Sequence, residues 1–244
     1  MLPVEQLPIL TDQSMPNLTR QTPLLALPHR PQSPLLTQRQ KRRRFEKAVV
    51  STGFGGKISI DSDSREAARQ AELEYSSVSH RGVKDRMVFW AKGCTIEGGL
   101  RMSSGLGIIG KTCPDPDQWV RDAYLITYAV DPQIAEILAV AMALKIAKYE
   151  CNKLAEIERP SKVVIYSSAK DALLGIQEST YVMLSGVRMP KAAVRVVEAG
   201  LVAAYFLRNL EVEVELQWFP DGGETEALLS RTVLLAKEQI IRVL

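Results

Sequence analysis

The chain contains few of the side chains that build metal and disulfide sites. Its 244 residues include three cysteines, Cys94, Cys113 and Cys151, without a CxxC spacing, and two histidines, His29 and His80. An odd number of cysteines without paired spacing argues against a disulfide framework and against a zinc site. We therefore expect a reducing, intracellular location, either nuclear or cytoplasmic.

A long uninterrupted apolar run is also missing. The longest apolar stretches, near 134–144 and 192–207, are broken by charged residues. Neither reaches the roughly 18–20 residues that a membrane span needs. The N-terminus has no basic segment followed by an apolar one, so no secretory signal is predicted. We expect no membrane partner, while the 46% hydrophobic content is sufficient for a packed core.

Excess positive charge is absent from most of the chain. Residues 1–48 contain eight Lys or Arg and three Asp or Glu, which leaves 23 basic and 25 acidic residues for 49–244. The net charge of +3 therefore comes from the N-terminus. Nucleic-acid binders usually present a basic surface, because neutralised phosphates supply much of the affinity. The bulk charge of residues 49–244 gives no support for such a surface, although a local basic patch is compatible with it.

Residues 1–44 are predicted to form a disordered N-terminal arm. Seven prolines among the first 34 residues interrupt any periodicity. The arm ends in a basic cluster, Lys41, Arg42, Arg43 and Arg44. Such a cluster is typical of nuclear-import and nucleic-acid-contacting segments, and equally of a solvated stretch at a domain edge.

Residues 45–85 are predicted to be a linker that contains one helix. The segment 64–74 has a helix-forming composition, and Asp61, Ser62 or Asp63 is suited to cap it.

From residue 86 onward the pattern predicts regular structure. Strands are predicted at 86–91, 101–110, 119–130, 162–166 and 211–218, and helices at 132–148, 169–177, 191–209 and 224–242. Short separations between the first three strands favour an antiparallel meander, which is followed by alternating helices and strands. This order predicts an α/β domain over 86–244, with a mixed five-stranded sheet flanked by helices.

Four segments in this order resemble the ribonuclease H type 1 domain, in particular the versions found in fungal non-LTR retrotransposons and their degraded descendants. Val88–Cys94 resembles the first strand of the family with its Asp-Gly-Ser ending, and Ala135–Leu144 resembles its "AE-x-x-A-x-x-x-AL" helix. Val163–Leu173 resembles the "DS-x-x-AL" junction, and Val214–Pro220 resembles the "W-x-P" strand ending. The resemblance implies an RNase H-like fold.

The family's chemistry depends on four carboxylates that hold two Mg²⁺ ions at the scissile phosphate. Carried over by position, the first carboxylate falls on Lys92, the second on Glu136, the third on Ser168 and the last near Leu228. Only Glu136 is acidic. The histidine of the family's catalytic loop has no counterpart, because no histidine follows residue 80.

Lys92 is the departure with the largest consequence. At an effective dielectric of about 20, each pair of unit charges 4 Å apart is worth roughly 4 kcal/mol, so exchanging a carboxylate for an ammonium costs Mg²⁺ binding on the order of 10 kcal/mol. We predict that Lys92 forms an ion pair with Glu136 and that Ser168 serves as a helix cap. The candidates for compensating acids are Asp171, Asp221, Glu224 and Glu226.

These substitutions predict a catalytically inactive, retroelement-derived RNase H-like domain that binds nucleic acid or protein and needs no cofactor. The first alternative is an active Mg²⁺-dependent ribonuclease that cleaves RNA in RNA–DNA hybrids, using Glu136 with Asp171 and an acid from 221–226. The second alternative is a structural scaffold for protein interactions.

Overall fold

The structure, a computed structural model, describes only part of the chain: residues 53–76, 86–96, 103–111, 119–126, 131–178 and 189–221, and the single positions 37, 38, 40, 43 and 44. Most of the predicted arm and the helix predicted at 224–242 lie outside these residues. So do five of the predicted functional positions: Lys41, Arg42, Glu224, Glu226 and Leu228. The chain divides into two units, 1–37 and 38–244, and the elements below belong to the second.

The structure gives bounds for six strands and four helices in the described part of the chain, and the single positions Gln38, Gln40, Arg43 and Arg44 are also helical, where the sequence predicted a disordered arm. The strands are β1 (Lys57–Ser59), β2 (Arg86–Ile96), β3 (Ser103–Lys111), β4 (Trp119–Ile126), β5 (Lys162–Ser167) and β6 (Glu213–Trp218). The helices are α1 (Ser64–Ser76), α2 (Pro132–Lys153), α3 (Lys170–Glu178) and α4 (Lys191–Asn209), with a short 3-10 helix at Glu156–Glu158.

The described strands form one mixed sheet in the order β1-β6-β5-β2-β3-β4. The first four in this order run parallel to one another, and β2, β3 and β4 form an antiparallel meander. This arrangement confirms the predicted RNase H-like fold. The sheet has six strands and not the predicted five, because Lys57–Ser59 pairs with β6. A three-residue strand is too short to produce a period in the sequence.

One face of the sheet is covered by α2 and α4. Helix α2 is apolar on nearly all sides, with twelve buried residues, as expected for a helix packed between a sheet and a second helix. The two helices approach closely where a Cβ at Gly200 would lie 2.7 Å from the Cα of Ala141. This face contains the larger of the two hydrophobic clusters.

The opposite face of the sheet, called here the second face, carries a smaller aromatic cluster. Its buried members are Ala71, Val88, Trp90, Ile109, Val164, Tyr166 and Phe219. The rings of Trp90 and Tyr166 stack with centroids 5.7 Å apart. Helix α1 contributes Ala71 to this cluster, and Asp63 caps its first turn by accepting a hydrogen bond from the Arg65 N–H at 2.9 Å. The predicted helix is therefore confirmed and packs on the second face.

Two predicted boundaries differ from the structure by five residues each, and the others that the structure describes differ by at most two. Strand β2 continues to Ile96 instead of ending before Lys92, because it pairs with β3 as far as Ser103. Helix α2 continues to Lys153, five residues beyond the predicted end, because Ala147 and Cys151 extend its buried stripe. None of the described helices is long and apolar enough to cross a membrane.

Candidate functional site

Lys92 lies where the pairing of β2 changes. The parallel pairing with β5 ends at Ala91 opposite Ser167, one residue before Lys92, whereas the antiparallel pairing with β3 continues and places Gly107 opposite Lys92. Lys92 therefore lies at the carboxyl ends of the parallel strands. In open α/β sheets this is the end at which ligands bind.

Gly93 brings this part of β2 against the first turns of α2. A Cβ at Gly93 would overlap the carbonyl group of Ala135 and the backbone nitrogen of Glu136, so only glycine allows this approach. The start of α2 is fixed by Asp131, whose side chain accepts a hydrogen bond from the Gln133 N–H at 2.9 Å. The backbone of Glu136 thus lies next to the residue that follows Lys92. The Glu136 side chain is partly buried, and its Oε2 atom is shielded from solvent.

The ammonium of Lys92 pairs with Asp221. Its Nζ atom donates a hydrogen bond to Asp221 Oδ1 at 3.2 Å, with the lysine side chain 16% exposed and the aspartate side chain 70% exposed. The segment that carries Asp221 is held to β5, because the Phe219 N–H donates to the Ser167 carbonyl at 3.1 Å. Asp221 was one of the candidate metal-binding acids, and the structure places a cation beside it. The predicted ion pair between Lys92 and Glu136 stays a prediction.

The junction between β5 and α3 is held by contacts to Ser167 and Ser168. The Trp218 indole N–H donates to the Ser168 carbonyl at 3.0 Å, and the Ala169 N–H is 3.3 Å from the Ser167 hydroxyl oxygen. The hydroxyl that accepts a backbone N–H here is therefore that of Ser167, where the sequence predicted Ser168. Asp171 follows as an exposed residue in the first turn of α3.

The described residues do not fit the two-metal site of the family that the sequence resembles. Among them, no three His, Cys, Asp or Glu side chains come together in a way that could hold a metal ion. Lys92, which the resemblance aligns with the first ligand, carries an ammonium, which cannot donate an electron pair to a metal. The nearby carboxylate of Asp221 already accepts a hydrogen bond from that ammonium.

A second charged cluster, which the sequence did not predict, surrounds Glu215 on the second face. The Glu215 side chain is 2% exposed, and its Oε1 accepts hydrogen bonds from the Ser59 hydroxyl at 2.5 Å and from Lys57 Nζ at 3.1 Å, while Oε2 contacts Lys162. Burial alone raises the pKa of Glu215, but hydrogen bonds from Lys162, Ser59, Gln217 and Lys57 outweigh it and lower the pKa to about 2.

The Glu215 cluster adjoins a second ion pair at the end of α1. The Glu74 carboxylate forms a salt bridge with the Arg86 guanidinium at 2.5 Å. The backbone carbonyl of Glu74 accepts a hydrogen bond from Lys111 Nζ at 2.8 Å. Burial raises the pKa of Glu74, against the opposing effect of Arg86, Lys111 and Lys162. Burial also raises the pKa of Tyr166 between these groups. Both contacts attach α1 to the sheet.

No protein-family model matches the sequence, and no curated protein matches it. Among solved structures, the chain is similar to the protease–reverse transcriptase of prototype foamy virus, at 18% identity and a TM-score of 0.46, over 66% of this chain and 22% of that chain. It is also similar to LC11 RNase H1, isolated from compost and solved with an RNA/DNA hybrid, at 15% identity and a TM-score of 0.43, over 64% of this chain and 99% of that chain. A third similar structure is RNase H1 of Halobacterium salinarum, at 13% identity and a TM-score of 0.39, over 63% of this chain and 98% of that chain. The chain thus spans about a fifth of the foamy virus protein, and the similarities concern the fold alone.

Proposed function

We propose that this chain is a catalytically inactive RNase H-like domain that binds nucleic acid without hydrolysing it. The observation that carries the proposal is the ion pair at the carboxyl ends of the strands, in which Lys92 Nζ lies 3.2 Å from Asp221 Oδ1. Descent from a retrotransposon belongs to the same proposal. Such descent explains why the strand and helix order is kept while the residues aligned with the metal-binding carboxylates have changed.

The electrostatics of Lys92 support the loss of hydrolysis. A fixed positive charge repels a divalent cation where a carboxylate would attract it, and the difference is on the order of 10 kcal/mol at an effective dielectric of about 20. Asp221, which is close enough to offer a carboxylate, has its charge compensated by the same lysine. Two-metal hydrolysis therefore lacks both its first ligand and the nearest replacement.

The basic cluster Lys41, Arg42, Arg43 and Arg44 supports a nucleic acid as the partner. The basic cluster lies where the second unit of the chain begins, and Arg43 and Arg44 are exposed. Phosphate contacts by Lys and Arg supply most of the sequence-independent affinity for nucleic acids. Because residues 49–244 have no excess of basic residues, this cluster is the main electrostatic source of attraction.

The absence of hydrolysis is tested with a labelled RNA–DNA hybrid, incubated with the full chain in Mg²⁺, in Mn²⁺ and in EDTA. We expect no cleavage in any of the three, with a known ribonuclease H as the positive control for substrate and buffer. The matched variant is Glu136→Gln, which removes the one acidic family position. Metal-dependent cleavage by the wild-type chain that disappears in this variant contradicts the proposal and supports the active ribonuclease.

Binding is tested by fluorescence anisotropy with the same hybrid and with single-stranded RNA and duplex DNA of equal length. We expect affinity that falls as the salt concentration rises, because bound phosphates release counterions. Replacing Lys41, Arg42, Arg43 and Arg44 together by glutamine should weaken binding to all three probes. A folded chain that binds none of them contradicts the proposal and favours the protein-interaction scaffold.

A further inference from the structure

We infer that a cavity on the second face binds a small organic acid through its carboxylate. The cavity lies between α1 and the strands β2, β5 and β6 and has a volume of about 450 Å³. It is called here the α1 cavity, and its lining includes Leu73, Arg86, Lys162, Val164, Tyr166 and Gln217. Its volume is in the range of pockets that hold small molecules. The inference does not depend on the proposed binding of nucleic acid.

The strand register places cations and a phenol at opposite ends of the α1 cavity. Arg86 on β2 is directly opposite Lys162 on β5, so both cations lie at the amino ends of these parallel strands. Val164 and Tyr166 follow on the same face of β5, because alternate residues of a strand point to one side. Tyr166 is four residues beyond Lys162, which is roughly 13 Å along the strand. A ligand lying along β5 therefore meets positive charge at one end and a hydroxyl at the other.

Two side chains that line the α1 cavity have hydrogen-bonding groups without a partner among the described residues. Tyr166 is 3% exposed, its ring contacts Trp90 and Phe219, and no hydrogen bond joins its hydroxyl to another described residue. The Arg86 guanidinium pairs with Glu74 through Nη2, whereas its Nε atom is buried without an acceptor. Buried polar groups are nearly always hydrogen-bonded. A ligand with an oxygen atom at each end supplies partners for both side chains.

The charge at the cationic end of the cavity favours an acid with a single negative charge. Ion pairs there link three cations to two mostly buried carboxylates, namely Lys57, Arg86 and Lys162, and Glu74 and Glu215. A further acid, Glu213, lies 3.8 Å from Lys162, but it is 58% exposed, so water weakens its effect. One positive charge in excess matches one carboxylate. A phosphate dianion brings more negative charge than these groups compensate.

A neighbouring cavity beside β1 differs in the state of its polar groups. It has a volume of about 470 Å³ and shares Gln70 and Gln217 with the α1 cavity. Its lining includes Lys57, Ser59 and Glu215, and both Lys57 and Ser59 bond to the Glu215 carboxylate. A ligand in the neighbouring cavity would have to break these contacts. The α1 cavity is therefore the better candidate.

The experiment titrates the full chain with para-hydroxyphenylpropionate at neutral pH and follows binding by ligand-observed NMR. The carboxylate and the hydroxyl of this acid lie at opposite ends of an apolar body. We expect a Kd of about 1 mM or tighter, which is reasonable for a ligand of this size. The neutral amide of the same acid should bind at least about tenfold more weakly, because it loses the charge-assisted hydrogen bonds. Inorganic phosphate should also bind more weakly than the acid.

A variant of Tyr166 tests the hydroxyl end of the cavity. Tyr166→Phe keeps the ring and should weaken binding of para-hydroxyphenylpropionate about fivefold, as expected for the loss of one hydrogen bond. It should leave the affinity for phenylpropionate unchanged, because that acid has no hydroxyl. Tyr149→Phe, at an exposed tyrosine of α2, is the matched control and should alter neither affinity.

A variant of Arg86 tests the cationic end. Arg86→Gln should weaken binding of both acids about tenfold and leave the affinity for the amide unchanged. Arg121→Gln, at an exposed arginine of β4, is the matched control and should bind as the wild type does. Thermal unfolding establishes that each variant is folded. If Arg86→Gln does not fold, Tyr166→Phe with the two acids decides the question by itself.

Each outcome either supports or overturns the inference. A chain that binds the acid no better than its amide, or that binds inorganic phosphate more tightly than the acid, overturns it. Acid binding that is equal in the wild type, Tyr166→Phe and Arg86→Gln also overturns it, because the acid then lies elsewhere. Weaker binding of the hydroxylated acid alone in Tyr166→Phe, and of both acids in Arg86→Gln, supports it. The binding of nucleic acid has its own test and is not decided by these results.

Discussion

Two charged clusters on the second face of the sheet have opposite character. The first surrounds Glu215, near the amino ends of β5 and β6, where one buried carboxylate accepts hydrogen bonds from groups on β1 and β5. The second lies at the carboxyl ends, where Lys92 meets the exposed carboxylate of Asp221 at 3.2 Å. The less exposed residue is an acid in the first cluster and a base in the second.

The difference separates a carboxylate that holds several buried contacts from an ion pair whose acidic member is mostly exposed. A buried carboxylate is tolerated only when hydrogen bonds and opposite charges compensate its lost hydration, and Glu215 meets that condition with partners on both neighbouring strands. The Glu215 cluster therefore stabilises the fold. Lys92 is held by its strand, but its partner is mostly in water, so that pair contributes little to folding.

The largest expected effect comes from removing the carboxylate of the buried cluster. Glu215→Ala should lower the free energy of unfolding by about 3 kcal/mol, the lower end of the range for breaking a buried ion pair, because Lys57 and Lys162 can turn toward water. The matched control is Glu213→Ala, because Glu213 lies two residues earlier on the same strand and is 58% exposed. This variant should change the free energy of unfolding by less than about 0.5 kcal/mol. Urea unfolding at neutral pH measures both. Equal effects of the two variants would mean that burial does not distinguish Glu215.

The same carboxylate should control stability in acid. Its pKa is lowered from 4.5 to about 2 in the folded chain. A lowered folded-state pKa gives stability that is complete above about pH 4.5 and is lost as the pH falls toward 2, by roughly 3 kcal/mol for a shift of this size. Glu74 acts in the opposite sense, because its pKa is raised and its protonation favours the folded state.

The variants Glu215→Gln and Glu74→Gln separate these two contributions. Unfolding free energies at pH 7, 4 and 3 should show a flatter decline toward acid in Glu215→Gln and a steeper one in Glu74→Gln than in the wild type. An unchanged acid dependence in Glu215→Gln would assign the decline to other groups.

The sequence was sufficient for most elements of the fold. Pro190 before an apolar stretch predicted α4 over 191–209, which is where the structure has it. The run at 162–166 predicted β5 to within one residue. These elements are read correctly because each has a long or strongly biased pattern of its own. Strand β1 was missed because its three residues have no such pattern and depend on pairing with β6.

The site was predicted less completely, for a physical reason that the two clusters share. Alternation along 211–218 places Glu213 and Glu215 on one face. It does not reveal that Lys57, 158 positions before Glu215, forms an ion pair with Glu215. Likewise Lys92 and Asp221 are 129 residues apart. Ion pairs across such separations depend on strand order and register, which one sequence does not give. Lys92 was recognised through the resemblance, whereas its partner required the structure.

A substitution at Gly93 tests whether the backbone of β2 next to Lys92 is held rigidly against α2. Gly93→Ala should destabilise the chain by about 2 kcal/mol, typical of overpacking, because the new methyl group overlaps backbone atoms of Ala135 and Glu136 that cannot rotate away. Gly55→Ala is the control, since its methyl group would meet only the flexible end of the Arg208 side chain. A similar, small effect for both variants would show that α2 moves freely relative to β2.

The smallest expected effect is that of the exposed ion pair itself. Asp221→Asn should change the free energy of unfolding by less than about 0.5 kcal/mol, as is usual for pairs with one mostly exposed partner. A double-mutant cycle with Lys92→Gln measures the coupling between the two side chains and should return a value of the same small size. A coupling above about 1 kcal/mol would mean that the Lys92–Asp221 pair stabilises the fold, as the Glu215 cluster does. In that case the charge of Lys92 would be committed to the fold.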